Sequence, residues 1–350
     1  MPTSIRQVYV PSFGDESHIT IMTAPIADPA PKEVQIKVLC SGFGGSDIAM
    51  RLGKYPGQKD APLVPGYCLV GRIHSLGTSC SKFKKGDLVA AMTKYDAHAE
   101  LTNFDEKYVV PCPEGIDLEQ AVAMVLDWST AYGMTYRGAK IQKGSRVFIH
   151  GLSGAVGFAA FTFCKMQGAE VYGTASESKH ERLKELGVTL PFVYTNKDWI
   201  TAMQNLGGAH VVFDALGFDS YDESWRILAP KEGGHLVGLG GNLDVLNGNE
   251  PRNQYVGIAK LLAKGMVPFC PHKTSFYYID KDQKTFEPEM KELFQLSLQG
   301  KIHAPIKKRL TLEEVPQAHK EFHKYRDIGS VVVKVAEDDG TGDLHATEFK

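Results

Sequence analysis

Gly151-Leu152-Ser153-Gly154-Ala155-Val156-Gly157 is the stretch of this 350-residue chain whose spacing most directly implies chemistry. Three glycines three residues apart permit a tight turn, let a pyrophosphate approach bare backbone, and let the next helix pack closely. At such a helix start the backbone around Ser153, Gly154, Ala155 and Val156 offers unpaired N–H groups and a partial positive charge to phosphates. Farther on, Gly173-Thr174-Ala175-Ser176 reaches the point, about twenty residues past the last glycine, where an NAD site presents Asp or Glu to the ribose hydroxyls. No acid stands there. Ser176 can donate a hydrogen bond to a 2′-phosphate, and Lys179 can add charge one helical turn later, so the expected cofactor is NADPH. Glu177 opposes that choice if it points at the ribose, and Lys179 has the alternative of an ordinary solvated helix lysine.

Those residues need a strand before the loop and a helix after it. Residues 146–150 form an apolar strand, and 170–174, 211–215 and 235–239 repeat the pattern, with helices expected at 155–167 and 179–186. Val156, Ala160 and Phe163 fall on one helical face, ready to pack against the sheet. The alternation implies βαβ units and a doubly wound parallel sheet. Before it, the first 125 residues carry short β-forming runs, such as 34–39 and 69–74, broken by Gly and Pro at Pro31, 42–45, 62–66 and Gly86, as in a twisted β-rich domain. Beyond about residue 270 come helices near 287–298 and 313–324 and a last strand at 330–335. The expected domains are therefore 1–125 together with 270–350, and 126–269, with a ligand cleft between them. The polar tail 337–350 is expected to be disordered.

Composition excludes several partners. The chain is 43% hydrophobic, enough for a large core, and its 39 basic and 41 acidic residues leave a formal charge of −2. That balance gives no broad positive field for nucleic acid or an anionic membrane. No apolar run reaches the roughly 18 residues of a membrane span, and residues 1–10 lack the features of a signal peptide, so the expected location is cytoplasmic. Six cysteines (Cys40, Cys68, Cys80, Cys112, Cys164 and Cys270) are scattered without a Cys-x-x-Cys pair, consistent with reduced thiols. His319 and His323 stand at i, i+4, a spacing that can bind metal, but with no third ligand nearby an exposed helix face is expected.

The run 34–77, the loop 151–157, the stretch 173–179, the turn Asp214-Ala215-Leu216-Gly217 and the ending Gly329-Ser330-Val331-Val332-Val333 together resemble the medium-chain dehydrogenase/reductase superfamily. The match spans roughly residues 5–335 and is nearest the quinone oxidoreductase branch, including its vesicle amine transport protein-like members. It implies an α/β fold: a GroES-like β-rich catalytic domain plus a Rossmann doubly wound parallel-sheet domain. Where zinc-dependent members carry a cysteine ligand this chain has Gly44, and where they carry Gly-His-Glu it has Gly66-Tyr67-Cys68. Cys68 cannot hold zinc alone, and no four-cysteine lobe exists, so no metal is expected.

Without a Lewis acid, the resemblance implies hydride addition to an activated C=C or a quinone, with a donor meeting the charge that develops on oxygen. Tyr55 resembles the proton-donating tyrosine of the superfamily's enoyl-thioester reductases; the alternative is that it lines the cleft by packing and water gives the proton. Tyr67, Asp127 and Trp128 are implied to contact a small-molecule substrate, although Asp127 could instead cap a helix beginning there. Thr130, Leu239, Gly240 and Gly241 are implied near the nicotinamide, Leu216 and Gly217 elsewhere on the cofactor, and Tyr194 and Arg326 near the 2′-phosphate. Gly44 and Ala49, where relatives carry asparagine and tyrosine, suggest a roomy pocket. The resemblance also implies a homodimer. Three readings stand: an NADPH-dependent quinone or enone reductase, an enoyl-thioester or polyketide trans-enoyl reductase, and a non-catalytic NADPH-binding protein.

Overall fold

A computed structural model describes residues 3–241, 243–246, 249 and 252–344. The chain divides into two units: Met1–Ser129, Asp280–Arg326 and Ser330–Lys350 form one, and Thr130–Ile279 with Asp327–Gly329 the other.

In the first unit, Glu33–Phe43 is the central strand because its residues can be buried on both faces, and all but Glu33 and Gly42 are. It pairs antiparallel with Leu69–Leu76, with Leu101–Asp105 and with Ser330–Lys334, so the C-terminal strand lies beside a strand some 300 residues earlier (Val331 opposite Phe43). Val34, Ile36, Val38, Leu69, Ile73 and Val89 form its core; each such side chain contributes about 1.5–3 kcal/mol by leaving water. The tail is ordered through residue 344, contrary to expectation. Arg72 holds Asp338 (Nη2 to Oδ2, 2.9 Å), buried Lys37 reaches Asp339 (3.4 Å), and His74 Nδ1 meets the Gly342 carbonyl (2.7 Å). Two buried cations thereby gain carboxylates, an attraction that composition does not reveal. Residues 345–350 of the expected disordered tail lie outside the described residues.

The second unit is a six-stranded parallel sheet in the spatial order Leu190–Val193, Glu170–Ala175, Arg146–Ile149, Val211–Asp214, His235–Gly238, Lys273–Phe276. This is the 3-2-1-4-5-6 order of dinucleotide folds, with the strand order reversing between the first and fourth strands. Two of the six strands give little sequence signal. Leu190–Val193 contains Pro191, which an edge strand tolerates, and Lys273–Phe276 is mostly polar. The latter pairs with His235–Gly238, so a domain boundary at 270 is too early. Phe163 was expected against the sheet; it also meets Tyr132 and Tyr136 edge-on, at 5.4 and 5.9 Å between ring centroids. No helix among the described residues is long and apolar enough to cross a membrane.

Candidate active site

In the second unit, strand Arg146–Ile149 runs into the glycine turn as the spacing requires. Gly151 has φ +72°, a left-handed conformation that costs glycine little. A Cβ on Gly157 would sit 2.2 Å from the Gly151 carbonyl oxygen, so this close approach of helix to turn admits only glycine. Helix Ala155–Met166 starts at Gly154, which has no side chain to cap it, leaving the first-turn amides, those of Ala155 and Val156 among them, for an anion.

Tertiary contacts bring Ser153 and Lys179 together. Lys179 Nζ donates to Ser153 Oγ at 2.9 Å and reaches the Asp327 carbonyl at 3.4 Å, so Lys179 is not the solvated lysine of the alternative reading. Ser176 is half-buried just past strand Glu170–Ala175, while Glu177 is exposed. Val193 pairs with Ala175, which carries exposed Tyr194 past the same sheet edge as Ser176. Asp214 Oδ1 accepts from the amides of Leu216 (2.8 Å) and Gly217 (3.1 Å), fixing that turn. A Cβ on Gly217 would meet the Gly240 oxygen at 2.9 Å and the Gly241 Cα at 3.0 Å, so these two turns touch. The Leu239 amide donates to the Asp214 carbonyl at 3.0 Å. Thr130 is half-buried in helix Ser129–Tyr132. Uncapped helix end, glycine cradle, serine pair and lysine fit a 2′-phosphorylated dinucleotide.

The first unit carries the remaining candidates. Tyr55 Oη donates to Tyr67 Oη at 2.9 Å, with the rings edge-to-face. Tyr67 is buried, leaving half-buried Tyr55 as the hydroxyl with surface to offer. Asp47, which sequence reasoning missed, organises the loops around them. Its carboxylate accepts from the Gly44 amide (2.9 Å) and the Gly66 amide (3.0 Å), tying the turn at Gly44 to the one before Tyr67. Its position three residues after Gly44, as in a capping box, was the available signal. Burial pushes the Asp47 carboxyl up, and neighbouring His98 opposes that.

Several expectations need correction. Asp127 caps no helix. The helical run begins at Leu118, capped by Asp117, and Asp127 lies inside it in a π-helical turn, Met124–Trp128. Ser330 Oγ donates to Asp127 Oδ2 at 2.7 Å, yet burial dominates and lifts the carboxyl to about 6. Trp128 is 1% exposed, so its indole is core rather than a substrate surface. Ala49 is buried too, which leaves Gly44, with nothing closer than 4.0 Å to an added Cβ, as the roomier of the two positions. His319 is buried rather than exposed, edge-on to Phe43 at 5.0 Å, whereas His323 is exposed. Arg326 is exposed at the end of its segment.

Gly44 and Tyr67 are the positions that the resemblance sets against zinc ligands. Gly44 and Tyr67 offer no thiolate or imidazole, and burial pushes the Cys68 thiol well up while its Sγ faces the Val122 carbonyl at 3.8 Å.

Residues 30–116 match the family model described as an alcohol dehydrogenase GroES-like domain, and residues 186–333 the one described as a zinc-binding dehydrogenase. A quinone oxidoreductase of Pseudomonas aeruginosa is 30% identical over 336 residues, covering 94% of this chain and 99% of that protein. The human synaptic vesicle membrane protein VAT-1 homolog is 27% identical, covering 94% of this chain and 86% of its own length. The fold matches the crystal structure of Escherichia coli quinone oxidoreductase complexed with NADPH, with a TM-score of 0.81, 21% identity, and coverage of 94% and 99%.

Proposed function

Because the chain belongs to the quinone oxidoreductase branch of the medium-chain dehydrogenase/reductase superfamily and is an NADPH-dependent oxidoreductase, we propose that it reduces quinones or α,β-unsaturated carbonyls without zinc. The observation that carries this reading is the hydroxyl pair Tyr55–Tyr67, with Tyr67 standing where a zinc member has its histidine. NADPH, when bound, supplies hydride to an electrophilic carbon.

The protein's own residues do the rest. Ser153, Ser176 and Lys179 hold the 2′-phosphate side, with Tyr194 as a further contact, and the amides at Ala155 and Val156 hold the pyrophosphate. Leu216, Gly217, Leu239, Gly240, Gly241 and Thr130 shape the remainder of the cofactor site. Negative charge developing on the substrate oxygen needs a donor. A tyrosine hydroxyl both donates and accepts, so Tyr55 Oη can turn its proton to the substrate while accepting from Tyr67. Asp127 orients the substrate through a carboxyl whose charge changes near pH 6.

Incubating the protein with NADPH and a panel of quinones, enones and enoyl-thioesters, and following nicotinamide absorbance, tests the reading. Oxidation with a quinone or enone is expected. Preference for a thioester would favour the enoyl-thioester reductase that Tyr55 also fits, and tight NADPH binding without turnover would indicate a non-catalytic binding protein. Tyr55→Phe should lower kcat by about 100-fold, within the usual range for losing an acid catalyst; unchanged turnover would leave water as the proton source. Lys179→Ala should cut the preference for NADPH over NADH by at least about tenfold, the value of one charged hydrogen bond. Edge strand Lys273–Phe276 also supports a homodimer, which light scattering in solution would test.

A further inference from the structure

We propose that His150 is a positioning residue: it links the turn at Gly151, the Thr174 hydroxyl at the end of strand Glu170–Ala175 and the turn at Leu216–Gly217 into one hydrogen-bonded unit, and so sets how tightly the site holds NADPH. This rests on the cofactor reading above.

His150 follows strand Arg146–Ile149 directly, and its side chain is 2% exposed, so it offers a ligand no surface of its own. What it offers is connection. The Gly151 amide donates to Thr174 Oγ1 at 3.2 Å, and Thr174 Oγ1 lies 3.5 Å from His150 Nδ1. On the other side of the ring, His150 Nε2 lies 2.9 Å from Ser224 Oγ, and Ser224 Oγ donates to Asp214 Oδ2 at 2.7 Å. Asp214 Oδ1 completes the path by accepting from Leu216 and Gly217.

Counting protons fixes the direction of every bond. Ser224 has one hydroxyl proton and gives it to Asp214, so the proton between Ser224 and the ring must come from His150 Nε2. A neutral imidazole then has a lone pair at Nδ1, which can accept only from the Thr174 hydroxyl; that hydroxyl in turn accepts from Gly151. One tautomer satisfies all the partners, and the other would set two lone pairs, those of Nε2 and Ser224 Oγ, against each other. Burial keeps the ring neutral by pushing its pKa down, against the opposing pull of Asp214. Phe148 and Trp199 pack edge-on against it, each 5.1 Å away between centroids, and so hold its plane.

A continuous relay differs from three independent anchors in one measurable way: breaking one end is felt at the other. In the full chain, Thr174→Val, Ser224→Ala and the double variant are compared for NADPH affinity by titration and, without cofactor, for amide hydrogen exchange. Ser224→Ala should weaken NADPH about tenfold with kcat at saturating NADPH unchanged, and should speed exchange at the Gly151 amide. The double variant should be no worse than about either single one. His150→Gln, which keeps a donor toward Ser224, should recover much of what His150→Leu loses, and circular dichroism would confirm that each variant is folded. Additive losses, with Gly151 exchange indifferent to Ser224→Ala, would overturn the proposal. A parent protein that fails to bind NADPH would instead overturn the cofactor reading, and the exchange experiment would still decide the relay.

Discussion

His150 and His319 are both buried, yet both ring nitrogens of the first have partners and neither nitrogen of the second does. His150 belongs to a hydrogen-bonded path in which Asp214 alone accepts from Leu216, Gly217, Ser220 and Ser224. Around His319 the surroundings are aromatic and unmatched. Ser41 Oγ, Arg51 Nε and His98 Nδ1 of the same unit are also buried without partners, and Phe43 lies between the rings of His98 and His319 at 6.0 and 5.0 Å. An unsatisfied buried group costs about 1–3 kcal/mol, whereas a satisfied network gains rigidity in a medium of low dielectric. The path from Gly151 through His150 to Gly217 is paired throughout, although Trp199 Nε1, on the ring packed edge-on against His150, is buried without a partner. Asp127 stands between the two cases, a carboxyl with Ser330 as its hydrogen-bond donor.

The contrast can be broken most directly at Asp214. Asp214→Ala leaves two amides and two hydroxyls without their acceptor and should cost about 3–5 kcal/mol in denaturant unfolding. A loss below about 1 kcal/mol would mean that the network around His150 is ornamental.

A smaller effect is expected at Asp127. Its folded pKa, about 6, is raised from the ordinary 3.8, so the folded protein holds the proton more tightly than the unfolded chain does. Stability from this group is therefore full below about pH 4 and is lost as pH rises through 6. Asp127→Asn keeps an acceptor for Ser330 without the charge. It should be near neutral at pH 4 and stabilise the protein by about 3 kcal/mol at pH 8, at about 1.4 kcal/mol per pKa unit. Equal effects at both pH values would place the carboxyl in a wetter setting.

His319 should show the smallest effect, with the opposite pH sign. Burial, reinforced by Arg51 and His98, holds its pKa well below 6.5, so the unfolded chain takes up a proton that the folded protein refuses. Stability falls as pH drops below the unfolded value. His319→Leu should flatten that fall and gain about 1 kcal/mol at pH 7, because it removes two unpaired polar atoms while staying apolar against Phe43. A clear loss at pH 7 would show that the imidazole has a partner in solution.

Legibility followed the range over which each signal acts. The strand before Gly151, the helix after Gly154 and the strands at 170–175, 211–214 and 235–238 lay open in the sequence because apolar period and glycine spacing are local. Leu190–Val193 and Lys273–Phe276 were hidden because edge strands need neither. Ser176 and the missing acid near it could be read directly, but the reach of Lys179 to Ser153 could not, since 26 residues separate them. The tail from Glu337 looked unstructured by composition, and its ties to the buried Arg72 and Lys37 and to His74, all remote in sequence, explain why it is held.

By itself, then, the sequence determined the dinucleotide turn, the preference for a phosphorylated ribose and the lack of zinc donors at Gly44 and Tyr67, all of which depend on residue type at fixed short spacing. Tertiary structure alone decided that Tyr55 has a hydroxyl partner, that Trp128 and His319 are core, that Asp127 sits within a helix rather than at its start, and that His150 lies beneath the cofactor turns with every nitrogen engaged. Burial and hydrogen-bond partnership are set by residues far apart in the chain, and a side chain's chemistry depends on those partners as much as on its type.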